Sequence, residues 1–92
     1  EIMLRLIQTS TYKKNLKKYK HNKPVLQELV NILDLLVNEQ PIPEKYRNHK
    51  LTGNYTGMME LHLKPDDLLV YIKVEKESIT LVAIGSHADL FG

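Results

Sequence analysis

The stretch MMELHLKPDDLLVYIKVEKESITLVAI, residues 58–84, reads as three consecutive strands. Met58–Lys64 is the first. Pro65-Asp66 bends the chain, Leu68–Val74 is the second, Glu75–Ser78 is a charged turn and Ile79–Ile84 is the third. Apolar runs of this length, bounded by turn residues, are strand-sized. They are read as members of a mostly antiparallel sheet, and whether the first and third runs both neighbour the second is left open.

Upstream, the period changes. From Val25 to Asn38 the apolar positions recur at helical spacing, with Leu26, Leu29, Val30, Leu33, Leu36 and Val37 as the dominant stripe. Pro24 suits the first turn of that helix, where a missing N–H has no partner to lose. Gln40-Pro41-Ile42-Pro43 ends it, and residues 41–49 read as an extended connection. Before Pro24, Tyr12, Leu16 and Tyr19 fall on one stripe of a shorter helix, capped by Thr9 or Ser10. Leu4–Gln8 reads as a short strand, Lys50–Thr52 as an extended segment before a turn at Gly53-Asn54, and Ala88–Phe91 as one last helical turn. The order β-α-α-β-β-β, with room for one further strand, predicts an α+β domain. A two-helix hairpin packs on one face of a mostly antiparallel sheet.

Ninety-two residues suffice for one domain with one modest core, so residues 1–92 are read as a single domain. With no cysteine, disulfides and thiolate metal sites are excluded. No apolar run reaches the roughly 20 residues a bilayer requires, and no membrane association is expected. The first residues lack the apolar stretch of a signal peptide; the absence of cysteine is compatible with a reducing cytoplasm, the expected compartment. Met3 leaves open whether Glu1 is the natural start. The net charge of +2 hides an asymmetry: residues 1–23 hold seven Lys or Arg and one acid. A concentrated basic segment points to an anionic partner, nucleic acid first among them, or to a solvated lysine face.

Three of the four histidines sit beside structural breaks. His49 ends the proline loop, His62 precedes Pro65-Asp66, and His87 follows Gly85 at the end of the last strand. Strand ends and loops at one rim of a sheet are where sites collect. Each ring alone is compatible with an ordinary surface role. Three imidazoles and a carboxylate are zinc-competent, but no short helical His-x-x-x-His pair supports a metal. The third reading is acid–base cleavage of a phosphodiester, which needs a base, an acid and a positive group near the phosphate.

Three segments carry a family resemblance. Asn48-His49-Lys50-Leu51-Thr52-Gly53 resembles a D-H-x-L-x-G motif. Glu60-Leu61-His62-Leu63-Lys64-Pro65-Asp66 resembles an acidic-x-H-x-x-P-D motif, and Gly85-Ser86-His87-Ala88-Asp89-Leu90-Phe91 a G-[ST]-H-x-x-L-F ending. Together they are similar to the signatures of YafQ-type toxins within the RelE-like group, over residues 40 to 92 and with a matching β-α-α opening. The resemblance implies a RelE-like fold and a toxin of a type II toxin–antitoxin system. It implies cleavage of mRNA in the ribosomal A site without metal or other cofactor. A cognate antitoxin is the expected partner besides ribosome and mRNA, with operator DNA reached only through the antitoxin complex. His49, His62, Asp66 and His87 are the implied catalytic residues: His87 as acid or base, His62 or Asp66 as its counterpart, and His49 at the phosphate. Phe91 packs on the substrate or anchors the tail.

One position departs from the pattern. Where the family has Arg before the acidic residue, this chain has Met59. The charge would then come from Lys50, Lys64 or Arg47, or else the Arg is structural and Met59 fills space. The departure also motivates an alternative: a toxin that has lost catalysis and acts as an antitoxin-binding co-repressor. A gyrase-directed relative on the same scaffold is a third reading, disfavoured by the histidine set. Asp67, beside Asp66, leaves the carboxylate assignment open by one position. Lys13, Lys14, Lys17 and Lys18 on the first helix are the expected docking surface for the ribosome or for the antitoxin.

Overall fold

The structure is a computed structural model that describes residues 3–92; the open question whether Glu1 is the natural start falls on residues outside them. Five strands and three helices follow in the order β1 (Arg5–Gln8), α1 (Ser10–Leu16), α2 (Lys23–Val37), β2 (His49–Lys50), β3 (Met59–Lys64), β4 (Asp67–Val74), β5 (Ser78–Gly85) and α3 (His87–Phe91). Single 3-10 turns lie at Lys17–Tyr19, Glu44–Tyr46 and Gly53–Tyr55. One sheet holds all five strands in the order β1-β5-β4-β3-β2. The meander over residues 59–85 is antiparallel, and among the described residues only β1 pairs in parallel, with β5. The predicted α+β architecture is present.

Local chemistry explains the elements. Thr9 caps α1 by accepting from the Tyr12 amide at 3.0 Å, while its hydroxyl donates to the Val82 carbonyl at 2.8 Å. Val82 is where the register of β4 and β5 shifts, so one side chain ends a helix and satisfies a bulge. Asn15 of α1 accepts from the Ile84 amide at 3.2 Å and holds the helix along β5. Asn22 caps α2, and Pro24 takes its expected place in the first turn.

The helical layer covers one face of the sheet. Its core joins Leu4, Tyr12, Val25, Leu29, Ile32 and Leu36 to Leu61, Leu63, Leu69, Tyr71, Ile79, Leu81 and Ile84. The buried stripe of α2 is therefore Val25, Leu29, Ile32 and Leu36 with Val37, and Val30 stands 61% exposed. This corrects the predicted stripe. Leu29, Leu36 and Val37 are in the core as expected, Leu26 and Leu33 are only partly buried, and Val30 faces solvent. The helix is apolar on most sides, so its spacing specifies a helix without specifying its rotation.

Candidate functional site

The opposite face of the sheet carries the chemistry. Alternation along β3 sends Met59, Leu61 and Leu63 toward the helices and leaves Glu60 and His62 on the far side. Pairing extends that side into two rows. His49 lies opposite Glu60, which lies opposite Val70; His62 lies opposite Leu68, which lies opposite Gly85. Val70 and Leu68 are buried yet stand outside the helix-side core, so they floor a separate apolar patch beneath these groups.

Glu60 is the centre of the first row. It is only 6% exposed, and a carboxylate removed from water is costly unless a proton or cation accompanies it. Its Oε1 lies 3.2 Å from His49 Nε2 and 3.7 Å from His62 Nε2. The other ring nitrogens are held from behind: His49 Nδ1 lies 2.7 Å from the Arg47 carbonyl, and His62 Nδ1 lies 3.2 Å from the Pro65 carbonyl. A carbonyl only accepts, so each contact places a proton on Nδ1 and turns Nε2 toward the carboxylate. The bend at Pro65 and the left-handed backbone at Arg47, φ 51°, set those two carbonyls in place. The donor atoms of His49, Glu60 and His62 all lie within 4.8 Å of one another. This set of two imidazoles and a carboxylate is competent both for proton transfer and for holding a metal. Zinc had little support from spacing in the chain, because the two histidines come from adjacent strands and not from one helix.

His87 stands at the same end of the same face. A Cβ on Gly85 would meet Leu90 Cδ2 at 3.2 Å, so α3 packs on the side shared by Gly85, Leu68 and His62. Ser86 caps α3 by accepting from the Asp89 amide at 3.1 Å. Asp66 accepts from the His87 amide, also at 3.1 Å. Asp66 thus ties the β3–β4 turn to the start of the tail. Asp67 accepts from the Tyr19 hydroxyl at 2.8 Å, and burial followed by that carboxylate holds the Tyr19 phenol well above its ordinary range. The His87 ring has no polar side-chain or backbone partner among the described residues. It lies 5.3 Å from the Phe91 ring, which meets Tyr55 edge-on at 5.0 Å. Phe91 therefore anchors α3 to the 53–55 turn and presents an aromatic wall beside His87.

The expected cations divide. Arg47 and Lys64 line a hollow of about 280 Å³ together with His62 and Tyr46. Lys64 is also engaged by Glu28 of α2, at 3.8 Å. Lys50 pairs with Met59, so its side chain leaves the sheet on the face away from His49 and Glu60. Met59 packs against the helix-side core. The position where the family carries Arg does not face the histidines in this chain. Sequence reasoning gave no role to Glu60 or Tyr55. Glu60 could have been singled out as a charge in an otherwise apolar strand, two residues and one strand face from His62; nothing in the sequence marks Tyr55.

Comparison with known proteins agrees with this geometry. The family model described as a bacterial toxin of type II toxin–antitoxin system, YafQ, matches residues 4–92. The mRNA interferase toxin YafQ of Escherichia coli K12 is 32% identical over 82 residues, 88% of each chain. The toxin in the E. coli DinJ–YafQ toxin–antitoxin complex superposes with a TM-score of 0.85 at 29% identity, covering 99% of this chain and 100% of that one. A metal-bound toxin from Helicobacter pylori superposes at 0.87 with 39% identity, covering 97% and 100%. Fold, motif order and a family match along nearly the whole sequence agree, and the chain belongs to the YafQ family of type II toxin–antitoxin toxins.

Proposed function

We propose that this toxin is a ribosome-dependent mRNA endoribonuclease that cuts by metal-independent acid–base catalysis. One observation carries the reading: a carboxylate held between two oriented imidazoles shares a sheet face and a rim with a third imidazole that no polar group restrains. In the step itself the 2′-hydroxyl oxygen attacks phosphorus and the P–O5′ bond breaks. The Glu60–His62 pair takes the hydroxyl proton, and His87 gives a proton to the departing 5′-oxygen. The upstream fragment is left with a 2′,3′-cyclic phosphate. His49 and Arg47 offer positive charge to the phosphate as it gains charge. Lys64 contributes to the extent that substrate draws it from Glu28. Asp66 acts by fixing the start of α3, and Phe91 offers a face on which a base stacks.

The co-repressor alternative was motivated by Met59, and the placement of that residue on the helix side removes the motivation. The antitoxin in the E. coli complex supports a cognate antitoxin for this chain, with operator DNA reached through that complex. The cytoplasm is the compartment where ribosomes and message are available. No helix of the described residues is long and apolar enough to cross a membrane.

His87→Ala tests the reading, because the ring is exposed and its removal spares the core. Cleavage of message on translating ribosomes should fall by about 10²–10⁴-fold, the usual contribution of a positioned acid or base, with far-UV circular dichroism unchanged. Undiminished cleavage by a folded His87→Ala protein would count against the mechanism.

A further inference from the structure

We propose that Tyr71 and Asn48 are positioning residues for the reaction: from the helix side of the sheet the Tyr71 hydroxyl holds Asn48, and Asn48 holds the peptide that aims the His49 ring. The kinetic half rests on the nuclease reading; the anchoring of the ring does not.

The strand that carries His49 has little hold of its own. β2 is two residues long, lies at the edge of the sheet and pairs with β3 only through His49 and Lys50. The ring is aimed by a carbonyl two residues back, that of Arg47, in a left-handed backbone. Asn48 stands between the two, so fixing Asn48 fixes both ends of that contact. Side chains alternate along the strand, and Asn48 leaves on the helix side while His49 leaves on the other. There it meets Tyr71. Tyr71 lies opposite Met59, and Met59 opposite Lys50, so the phenol crosses beneath β3 to reach the edge strand. Its hydroxyl donates to Asn48 Oδ1 at 2.6 Å.

Two features make this contact more than packing. Tyr71 is buried, and burial pushes its phenol above the ordinary range, so at neutral pH it remains a donor. Asn48 is the hydroxyl's one partner among the described residues, and a buried donor without a partner is costly. The second feature is the space behind the segment. A hollow of about 590 Å³ lies on this side, and Leu36, Ile42, Asn48, Lys50, Met59 and Tyr71 are among the residues that line it. With that space open beneath it, the Asn48–His49 peptide is set by the hydrogen bond and not by a packed floor. What position 48 must supply is an acceptor oxygen. Asp offers the same oxygen as Asn, and an apolar side chain offers none.

The experiment follows ring and reaction separately in the full chain. Nitrogen-15 spectra of the histidines, with His49 assigned by its loss in His49→Gln, report the ring. In Tyr71→Phe the His49 signals should move toward those of free imidazole, while those of His62 stay in place. Asn48 is exposed, so Asn48→Leu tests the same contact without touching the core and should give the same shift. On ribosomes carrying a defined message, each variant should lower kcat by about ten- to 100-fold and change KM by less than about threefold. Asn48→Asp should match the wild type in both measurements. Tyr71→Phe combined with His49→Gln should cut no more slowly than His49→Gln alone, because both changes act through one group. Folded Tyr71→Phe and Asn48→Leu proteins whose His49 signals match the wild type overturn the proposal, as does an unchanged kcat with the ring displaced. An Asn48→Asp protein that behaves like Asn48→Leu, or additive losses in the double variant, reduces the contact to packing and overturns it too. His49 signals that move as expected in a protein whose wild type never cuts uphold the anchoring and overturn the nuclease reading.

Discussion

Glu60 shows how one residue changes the meaning of its neighbours. Without it, His49 and His62 are one half-exposed ring and one mostly buried ring on paired strands. With it, they share a buried charge, and both are oriented by the carbonyls behind them. Glu60→Gln keeps the shape and removes the charge. Cleavage on ribosomes should fall by about 10²-fold or more if Glu60 takes part in the proton transfer, while a merely structural Glu60 would leave the rate within a few-fold. The histidines were legible in the sequence because the motifs name them and because each sits at a break. Glu60's role was not, because it depends on which residue of β2 lies opposite which residue of β3. Met59 shows the same gap: its identity was plain in the sequence, but the face it occupies was fixed only by register.

Among the elements, the segment between α2 and β2 has the most to lose. It carries Arg47, leads directly into His49 of β2, and is pinned by Tyr46, whose hydroxyl donates to Glu28 Oε1 of α2 at 2.5 Å. That hydrogen bond, with Lys45 and Lys64 nearby, holds the Glu28 carboxyl below its ordinary value. Burial, reinforced by Glu28, pushes the Tyr46 phenol up to about 12. The depressed carboxyl stabilises the fold above its unfolded value, and the contribution disappears as pH falls through the lower folded value. Glu28→Gln should therefore melt below the wild type at neutral pH, with the gap closing as pH drops below about 4. A gap independent of pH, followed by thermal melts from pH 7 to pH 2.5, would refute the coupling. The proline loop was legible as a connection because two prolines stop a helix. Its anchoring was not, since Glu28 and Tyr46 are 18 residues apart and belong to no local pattern. The rotation of α2 was hidden for the opposite reason: too many apolar residues fit too many stripes.

For the whole molecule, charge and chemistry occupy different sides. Lys13, Lys14, Lys17 and Lys18 are exposed on the helical layer, while Glu60, His49, His62 and His87 lie on the other face of the sheet. Docking and cutting should therefore separate experimentally. Replacing the four lysines with Gln should weaken ribosome binding and flatten its dependence on the logarithm of salt concentration by up to about 3.6 units, at roughly 0.7–0.9 per phosphate contact. A slope that does not change would remove these lysines from the docking surface. The fold class was legible because the meander of residues 58–84 and the period of residues 25–38 each specify their element unaided. The parallel pairing of β1 with β5 was not, since it joins the two ends of the described chain and leaves no mark in either segment. The central claim concerns the reaction, and the new end of the cut message reports it most directly. Ribosomes carrying a defined message and the wild-type toxin, with a zinc- and copper-selective chelator present, should yield upstream fragments ending in a 2′,3′-cyclic phosphate. Fragments ending in a free 3′-hydroxyl, or no cutting until a metal is restored, would contradict attack by the 2′-hydroxyl under histidine and carboxylate control.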